Sequence, residues 1–469
     1  MSVISVQDGQ VPAVDAPREL LARLRRTFSS GKTRSYAWRH AQLTALLRLI
    51  EASEGDICRA LEKDLGKAPM EVWVGEMGLL ESEVRHARRH LGKWMRPTRV
   101  SSPLVLQPSW ARIRPEPLGV ALIIGPWNYP IQLVLGPLIG AIAAGNCAVV
   151  KPSELTPHAS RLVAHLVDTF LDGEAIAVVE GGGEVVSGLL AERFDHIFFT
   201  GSGRIGRVVM EAAAKHLTPV TLELGGKSPC IVDARADIDI SARRIAWGKF
   251  FNAGQTCVAP DYVLVHETCE QPLLQALKNA IQRFYGADPR QSRDYPRIVN
   301  ARHHERLSAL LGGGEVVCGG DVDAADRYIA PTVLRNVSLA HPLMQEEIFG
   351  PLLPVLTVSN IDEAIAFVNA RTKPLALYVF SEDASAVERV LRDTSSGAVN
   401  VNDTITQMGV VDLPFGGVGA SGMGAYHGKA SFDTFSHEKC VLHRPTWVDP
   451  PLRYAPYTPG KLRWLRRLF

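Results

Sequence analysis

Two short segments of this 469-residue chain contain side chains that could together perform acyl transfer. Cys257 supplies a thiol that could attack a carbonyl carbon, and Glu223, 34 residues earlier, supplies a carboxylate that could activate water. Such chemistry needs both groups, because the thioester formed on the cysteine must afterwards be released. Gly225 and Gly226 follow the glutamate closely, so little side-chain bulk crowds it. The pair predicts an enzyme that works through an acyl-cysteine.

The composition favours a multi-domain enzyme that acts on a small molecule. At about 150 residues per domain, the length predicts two or three domains. Hydrophobic residues make up 46% of the chain and charged residues 21%, which is enough apolar material for large cores. Lys and Arg number 51 and Asp and Glu number 49, so no strong overall charge attracts a nucleic acid. We expect a small-molecule partner and no nucleic acid.

The cysteines and the first residues indicate a reducing location. Seven cysteines are scattered along the chain without a C-x-x-C pair, and their number is odd. Residues 1–17 contain two aspartates, no Lys or Arg and no long apolar run, so they do not resemble a signal peptide. We therefore expect a cytoplasmic protein.

One apolar segment is long enough to be mistaken for a membrane span. Residues 117–150 carry no charged side chain. Gly136-Pro137 and Gly145-Asn146 interrupt the segment with residues that break regular backbone structure. We predict instead a buried strand at Val120–Ile124, a turn, a helix and a second buried strand at Ala148–Val150, with no transmembrane segment.

The order of patterns along the chain predicts an α/β fold with two lobes. A helical pattern runs from Glu19 to about Trp94, and the proline-interrupted stretch from Arg99 to Pro117 is typical of an exposed hairpin. Strand and helix patterns then alternate in Gly119–Thr221 and again in about Gly225–Gly419. We expect two doubly wound α/β lobes with a cleft between them, and a small β arm.

A glycine turn after a predicted strand could bind a pyrophosphate. Residues 201–206 match the pattern G-x-G-x-x-G through Gly201, Gly203 and Gly206, and a helical pattern follows them. Ordinary Rossmann domains place an acidic ribose ligand about 20 residues later, which would be Glu223. Glycines are also common at any turn from a strand to a helix, so the match by itself is weak.

A second pair of residues competes with Glu223 for the ribose. Lys151 and Glu154 lie at the end of the predicted strand Ala148–Val150 and offer an ammonium group and a carboxylate to ribose hydroxyls. We assign the ribose to this pair, which leaves Glu223 free to activate water.

Two residues of the proposed chemistry also have ordinary explanations. Asn128 could be a turn asparagine, or its amide could donate to an oxyanion together with the backbone N–H of Cys257. Cys257 could be a small buried apolar residue, as we expect for the other six cysteines. The polar residues before it, 252–256, favour instead an exposed loop in which the thiol pKa can be tuned.

The chain resembles the NAD(P)-dependent aldehyde dehydrogenase superfamily. Seven motifs occur in family order across nearly the whole sequence: Pro126-Trp127-Asn128, Lys151-Pro152-Ser153-Glu154, Phe199-Thr200-Gly201-Ser202, Glu223-Leu224-Gly225-Gly226-Lys227, Gly254-Gln255-Thr256-Cys257, Glu346-Glu347-Ile348-Phe349-Gly350-Pro351 and Pro414-Phe415-Gly416-Gly417. The segments 257–262 and 419–429 resemble the class 3 branch, which includes fatty and aromatic aldehyde dehydrogenases.

The resemblance implies a role for each matched residue. Cys257 is the expected nucleophile, Glu223 the general base and Asn128 the oxyanion donor. The expected NAD ligands, with NADP as the alternative cofactor, are Trp127, Lys151, Glu154, Gly201, Ser202, Gly206, Leu224, Glu347 and Phe349. In this family the cofactor does not lie on the glycine turn in the ordinary Rossmann manner, so the three-glycine match is partly coincidental. No metal site is expected, because the histidines form no ligand pattern.

The substrate is expected to be a long-chain aliphatic or an aromatic aldehyde, which is oxidised to its carboxylic acid. Tyr129, Phe251 and Thr256 are expected to line the tunnel. The loop Thr404–Asp412 borders the acyl pocket in the family, and it departs from class 3 relatives in having Gln407 where histidine is common. Relatives also often have asparagine at the position of Ala420.

The resemblance also implies a domain division and a homodimer. We expect an NAD(P)-binding domain at residues 1–98 and 118–224, a catalytic domain at 225–424, an oligomerisation arm at 99–117 and 425–445, and a tail at 446–469. The arm would form the homodimer through the hairpin and a C-terminal strand.

The end of the tail has two interpretations. In residues 461–469, Leu462, Leu465, Leu468 and Phe469 share one helical face, and three arginines lie elsewhere. This helix could dock on the protein's own surface, or it could be a weak peripheral anchor at the inner face of a membrane.

Three rival functions are less consistent with the residues present. A CoA-acylating dehydrogenase usually lacks the base that Glu223 would supply. A structural protein with this fold would be expected to lose Cys257 or the cofactor residues. A plain cysteine hydrolase would not need Lys151, Glu154 or Glu347.

Overall fold

The computed structural model describes residues 3–4 and 16–468. In this part of the chain the strands are β1 (Val3–Ile4), β2 (Thr98–Val100), β3 (Trp110–Pro117), β4 (Val120–Ile124), β5 (Cys147–Lys151), β6 (Ile176–Val179), β7 (His196–Thr200), β8 (Val220–Glu223), β9 (Pro229–Val232), β10 (Tyr262–His266), β11 (Glu315–Cys318), β12 (Val322–Asp323), β13 (Tyr328–Ile329), β14 (Thr332–Arg335), β15 (Leu352–Val358), β16 (Ala376–Phe380), β17 (Ala398–Val401), β18 (Gly422–Met423) and β19 (Ser436–His443). The α-helices are α1 (Ala16–Ser29), α2 (Tyr36–Ala52), α3 (Glu54–Leu65), α4 (Pro69–Val72), α5 (Gly78–Trp94), α6 (Gln132–Ala144), α7 (Pro157–Phe170), α8 (Gly183–Ala191), α9 (Gly203–Ala214), α10 (Ile238–Phe250), α11 (Glu270–Tyr285), α12 (Ala301–Ala309), α13 (Pro342–Gln345), α14 (Ile361–Asn369), α15 (Ala384–Asp393), α16 (Gly428–Thr434) and α17 (Pro459–Leu468).

The first large sheet has the strand order β1-β6-β5-β4-β7-β8-β18. Its strands are parallel except β18, which pairs antiparallel with β8. The chain winds outward from β4 through β5 to β6, and then returns to the other side of β4 for β7 and β8. Strands β4, β5 and β7 are buried along their whole length, as expected for parallel strands covered on both faces.

The second large sheet has the order β11-β14-β15-β10-β9-β16-β17. All its pairings are parallel except that of β11 with β14. The chain again winds to both sides of its first strand, β9. The predicted α/β class with two doubly wound lobes is confirmed. Strand β18 comes from the segment we had placed in the catalytic domain, yet it extends the first sheet.

A third, antiparallel sheet forms an arm with the order β19-β3-β2. The register of its longest pairing runs from Ser436 opposite Pro117 to His443 opposite Trp110. The predicted hairpin within residues 99–117 is confirmed by the pairing of β2 with β3. Most of the residues of this sheet are exposed or half-buried.

The amino-terminal helices pack on the first sheet, as the pattern from Glu19 to Trp94 predicts. Helices α4 and α5 form one continuous rod, joined by the π-helical segment Trp73–Met77. A π turn adds a residue to the helical repeat, and such turns are frequent at functional sites. The π segment contributes residues to the site described below.

The apolar segment 117–150 folds as predicted, into β4, a turn, helix α6 and β5. Within residues 3–4 and 16–468, none of the helices combines the length and hydropathy needed to span a bilayer. At the other end of the chain, α17 lies against the short turn Leu104–Leu106 of the arm. The predicted tail residue Phe469 lies outside the described residues.

Candidate active site

The carboxyl ends of four neighbouring strands place predicted site residues along one edge of the first sheet. Asn128 follows β4, Lys151 ends β5, Gly201 follows β7 and Glu223 ends β8. Ligands of doubly wound sheets bind at this edge, near the point where the strand order reverses. In this sheet the reversal lies between β4 and β7. The fold therefore gathers residues that are far apart in the sequence.

Cys257 lies in a tight loop between α10 and β10. The loop begins with a 3-10 turn at Phe251–Gly254, in which Asn252 has the left-handed backbone angle φ of 53°. Gly254 also has a positive φ, 73°, and a side chain there would collide with the carbonyl of Gly350. Gly254 is therefore required, because the backbone at this position leaves no room for a side chain.

Buried hydrogen bonds fix the polar residues of this loop. The side-chain amides of Asn128 and Asn252 both donate to the carbonyl of Gln255, at 3.0 and 3.1 Å. Asn252 also donates to the carbonyl of Asn128 (2.9 Å), and the Gln255 amide oxygen accepts the N–H of Val299 (3.0 Å). The prediction of an exposed loop is wrong, because Asn252 and Gln255 are completely buried. Their polar groups form hydrogen bonds inside the protein.

A cavity of about 230 Å³ contains both residues of the acyl-transfer pair. Cys257, Glu223 and the three predicted pocket residues Tyr129, Phe251 and Thr256 all line it. Four residues of the loop Thr404–Asp412 also border it, as predicted. The sequence analysis missed the other side chains of the wall, most of them apolar or aromatic: Val74, Gly75, Leu79, Leu133, Trp247, Val258, Leu375, Phe415 and Tyr426.

Glu223 is a buried carboxyl group that the protein leaves unpartnered. The residue is 2% exposed, and neither carboxyl oxygen has a hydrogen-bond partner among the residues that the structure describes. Burial raises the pKa of Glu223 well above its usual value, because the charged form loses its hydration. Its backbone carbonyl accepts the N–H of Gly201 (3.0 Å), which fixes the end of β8. The free carboxyl group faces the cavity and is available to water or to a reacting group.

The environment of the Cys257 thiol disfavours the thiolate form. Burial raises the pKa of Cys257 to about 12, and the charges of Glu347 and Glu223 add to this effect. Without a ligand the group is therefore a neutral thiol at neutral pH. The Tyr129 hydroxyl lies 2.7 Å from the Thr256 hydroxyl. This contact joins the loop after β4 to the residue that directly precedes Cys257.

Lys151 and Glu154 form the predicted pair at the end of β5. The Lys151 ammonium group donates to the carbonyl of Pro152 (2.7 Å) and to the Glu154 carboxylate (3.1 Å). The lysine side chain is 2% exposed, whereas that of Glu154 is 48% exposed. Burial lowers the pKa of Lys151, and Glu154 opposes that shift. The pair presents a fixed ammonium group and an open carboxylate at the edge of the sheet.

The glycine turn serves packing as well as helix formation. Ser202 is the N-cap of α9, and its hydroxyl accepts the N–H of Ile205 (3.5 Å). A Cβ atom at Gly206 would lie 2.9 Å from the side chain of Leu224, so the glycine lets α9 approach the chain after β8. Gly201 is similarly close to the ring of Phe199. These contacts explain the glycines without a bound pyrophosphate.

Trp127, from the loop after β4, contacts Phe349, which lies two residues after Glu347 in the segment before β15. The rings of Trp127 and Phe349 meet edge to face with centroids 5.3 Å apart, and His303, which the sequence analysis missed, lies 5.1 Å from the same tryptophan. Burial, followed by the charge of Asp261, raises the pKa of Glu347 to about 8. One Glu347 oxygen is buried without a hydrogen-bond partner.

These groups fit a dinucleotide that contains two riboses. Lys151 and Glu154 could hold one ribose, while the unpartnered oxygen of Glu347 could accept a hydroxyl of the other. A side chain at Gly225 would collide with the Glu347 carboxylate, so this glycine leaves room for the carboxylate. An unsatisfied buried carboxylate oxygen is costly, and a ligand hydroxyl would relieve that cost.

Known proteins with similar sequences identify the family of this chain. The model of the aldehyde dehydrogenase family matches residues 5–441. Human aldehyde dehydrogenase family 3 member B1 is 51% identical over 454 residues, which cover 96% of this chain and 97% of the relative. The 4,4'-diaponeurosporen-aldehyde dehydrogenase of Staphylococcus aureus is 48% identical over 444 residues, which cover 94% of this chain and 96% of that protein.

Solved structures share the fold over nearly the whole chain. The substrate-bound state of Staphylococcus aureus AldH has a TM-score of 0.94 and 47% identity, and the match covers 96% of this chain and 99% of that one. An NAD-dependent aldehyde dehydrogenase from Sinorhizobium meliloti has a TM-score of 0.84 and 31% identity, with 95% and 89% covered. The resemblance to the superfamily and to its class 3 branch is confirmed. The chain belongs to the aldehyde dehydrogenase family, whose members oxidise aldehydes to carboxylic acids.

Proposed function

We propose that this chain oxidises long-chain aliphatic or aromatic aldehydes with NAD, through a thioester on Cys257 that is hydrolysed with Glu223 as general base. The observation that carries the proposal is that Cys257 and the unpartnered carboxyl group of Glu223 line one largely apolar cavity. NAD is supported by the fit of Lys151, Glu154 and Glu347, and by a structural relative named as NAD-dependent. NADP is the alternative cofactor.

The nucleophile acts first. The Cys257 thiol gives up its proton to solvent water, and the thiolate sulfur adds to the aldehyde carbon. The side-chain amide of Asn128 with the backbone N–H of Cys257 stabilises the oxyanion, whose collapse to the thioester releases hydride. One N–H of the Asn128 amide donates to the carbonyl of Gln255, which leaves its second N–H for the oxyanion. When bound, NAD supplies the acceptor for the hydride that leaves the substrate carbon. Trp127, Phe349, Gly201, Ser202, Gly206 and Leu224 surround the proposed cofactor cleft.

Hydrolysis then requires Glu223 to take a proton from water. An ionised Glu223 is needed for this step, and burial favours the neutral form. A base whose pKa is raised toward the working pH accepts a proton more readily than an ordinary carboxylate does. The same burial that disfavours ionisation therefore makes the ionised group a stronger base.

The cavity wall supports an apolar substrate. Leu79, Leu133, Trp247, Ile405 and Met408 line it beside the reactive pair. Each methylene group or aromatic ring of the substrate that is buried against such a wall makes the free energy of binding more favourable. A series of aliphatic aldehydes of increasing length and a set of aromatic aldehydes, assayed with each cofactor, tests the proposal. Failure to reduce NAD or NADP with every one of these aldehydes would refute it.

Gly75 in the π segment is expected to limit the width of the cavity. A Cβ atom there would lie 3.0 Å from the rings of both Phe251 and Tyr129. Gly75→Ala should therefore lower kcat/KM for long and aromatic aldehydes by about tenfold relative to acetaldehyde, since one methyl group in an apolar pocket is worth roughly 1–3 kcal/mol. Gly92→Ala, in α5, is the matched control because its nearest contact would be 3.7 Å. Equal losses for short and long aldehydes would contradict this prediction.

Glu154 is expected to favour NAD over NADP. Its exposed carboxylate beside Lys151 would repel a 2′-phosphate, whereas it could accept a ribose hydroxyl. Glu154→Gln should raise the ratio of kcat/KM with NADP to that with NAD by several-fold, as expected for loss of one exposed like charge. The check is initial-rate kinetics with both cofactors at one ionic strength. An unchanged ratio would place the phosphate away from this carboxylate.

We propose that the arm, residues 99–117 and 425–445, joins two copies of the chain into a homodimer. Strand β19 is an exposed edge of the arm sheet, and such an edge can pair with another chain. Each subunit of this homodimer would contain an NAD(P)-binding domain at 1–98 and 118–224 and a catalytic domain at 225–424. Sedimentation velocity of the full chain measures the state directly.

The tail at 446–469 keeps two proposed roles. Leu462 and Trp464 are exposed on α17 together with Arg463, Arg466 and Arg467, which suits weak contact with an anionic membrane surface. The contact of α17 with the turn Leu104–Leu106 supports docking on the arm instead. Flotation with anionic and neutral vesicles distinguishes the two roles.

A further inference from the structure

A buried ion pair lies directly beneath the loop that carries Asn128. The Lys67 ammonium group donates to the Glu76 carboxylate at 2.8 Å, and both side chains are completely inaccessible to solvent. Lys67 follows α3, and Glu76 belongs to the π segment Trp73–Met77. Burying two charges is costly, and a hydrophobic pair of similar size is often at least as stable. Fold stability alone therefore does not explain this pair.

Lys67 makes two further contacts, both with the Asn128 loop. Its ammonium group donates to the carbonyl of Asn128 at 2.8 Å and lies 4.0 Å from the centre of the Tyr129 ring. The same Tyr129 carries the hydroxyl that meets Thr256, next to the nucleophile. Both hydrogen bonds of the Lys67 ammonium group and its ring contact are thus directed at Glu76 and this loop.

Glu76 holds the other end of the same loop. Its second oxygen accepts the N–H groups of Ile131 (2.9 Å) and Gln132 (3.0 Å), the first residues of α6. The first N–H groups of a helix have no partner within the helix, and a carboxylate there gains from both hydrogen bonds and the helix dipole. The ion pair therefore forms hydrogen bonds with the backbone on both sides of residues 129–130.

We propose that Lys67 and Glu76 are positioning residues for the oxyanion site. By fixing the backbone from Asn128 to Gln132, they aim the Asn128 amide at the place where the oxyanion forms beside Cys257. Hydrogen bonds to a developing charge depend steeply on distance, and a displacement of about 1 Å can cost roughly 10²-fold in rate. The inference rests on the proposed oxyanion role of Asn128.

The test compares hydride release in the first turnover for a set of variants. Lys67→Met/Glu76→Gln removes both charges together, so no buried charge is left without a partner. We expect this variant to slow the first turnover by roughly 10²-fold, with the KM for NAD unchanged. Asn128→Ala should slow the same step by roughly 10²- to 10³-fold.

Combining these changes in one variant distinguishes an effect through the position of Asn128 from an independent loss of activity. If the ion pair acts through Asn128, the triple variant should be no slower than Asn128→Ala, within about threefold. Independent effects would instead multiply, to roughly 10⁴-fold or more. Multiplied losses would overturn the proposal. An Asn128→Ala variant with the full first-turnover rate would refute the oxyanion role of Asn128, and this inference with it.

Alkylation of Cys257 by iodoacetamide supplies the second readout. This reaction forms no tetrahedral oxyanion, so the ion-pair variant should react at the rate of the parent chain within about threefold. A parallel loss of alkylation and of the first turnover would show that the whole nucleophile loop has moved, which would overturn the proposal. If the double variant does not fold, Lys67→Gln/Glu76→Gln, which keeps polar groups at both positions and leaves no unpaired charge, carries the same comparisons.

Arg39→Met is the matched control. Arg39 is another buried cation of the amino-terminal helices, and it donates to the carbonyl of Ala143 at 3.0 Å, near the opposite end of α6. Its loss should lower the melting temperature and leave the first turnover unchanged. A failure to oxidise any aldehyde by the parent chain would refute the proposed function itself, which this set of variants does not address.

Discussion

Replacing Glu223 with glutamine should leave a rapid first release of hydride and lower steady turnover by roughly 10²- to 10⁴-fold. Glutamine keeps the shape of the side chain but cannot take a proton from the hydrolytic water. Because no group among the described residues bonds to the Glu223 carboxyl oxygens, the change breaks no hydrogen bond. Stopped-flow absorbance of the reduced cofactor should show a burst of one equivalent per subunit. Mass spectrometry of the intact chain should find the acyl group on Cys257.

The pH dependence of the two phases should identify the titrating group. Burial raises the pKa of Glu223, so the fraction ready to act as a base grows as the pH rises. Steady turnover of the parent chain should therefore increase with pH, and this increase should be absent in Glu223→Gln. The Cys257 thiol, whose pKa is raised to about 12, controls the burst instead. A variant that loses the burst and steady turnover equally would assign Glu223 to the first step.

Replacing Cys257 with alanine should abolish both phases. Loss of a covalent nucleophile costs on the order of 10⁴- to 10⁶-fold, because hydride release depends on the tetrahedral adduct that the sulfur forms. The measurement is hydride release in a single turnover with excess enzyme. Cofactor binding should persist, since Lys151 and Glu154 are unchanged.

Cys230→Ala is the control for this substitution. Cys230 lies in the central strand β9 of the second sheet, is completely buried and does not line the cavity. It should retain the parent turnover, with a lower melting temperature from the lost packing. Substantial turnover in Cys257→Ala would mean that another nucleophile serves the cavity, and the acyl-cysteine proposal would fail.

The regular parts of the fold could be predicted because their signals are local. Strand β4 occupies the predicted residues Val120–Ile124, and β5 contains the predicted run Ala148–Val150, since continuous apolar runs bounded by turn residues mark buried parallel strands. The doubly wound α/β class followed from the alternation of strand and helix patterns. The addition of β18 to the first sheet could not be predicted, because a strand of two residues carries no period.

The reactive residues of the site could be predicted from their types and neighbours, but their supports could not. Asn252 and Gln255 looked like residues of an exposed loop, because polarity by itself does not show whether the partner is water or a buried carbonyl. Gly75 and Glu76 lie in an ordinary helical pattern, and only the π turn directs both toward the site. Lys67 meets Asn128 across 61 residues, a pairing that no local pattern encodes.

Strand β18 limits how the two lobes can move. It pairs with β8 through Gly422 opposite Glu223, and the carbonyl of Ser421 accepts the N–H of Leu224 (3.1 Å). The chain also passes directly from β8 to β9. The second lobe is therefore attached to the first on both sides of Glu223. A hinge that opened the cleft here would have to break this pairing. We therefore expect the exchange of cofactor and product to depend on side chains and loops at the entrances of the cleft rather than on separation of the two lobes at this point.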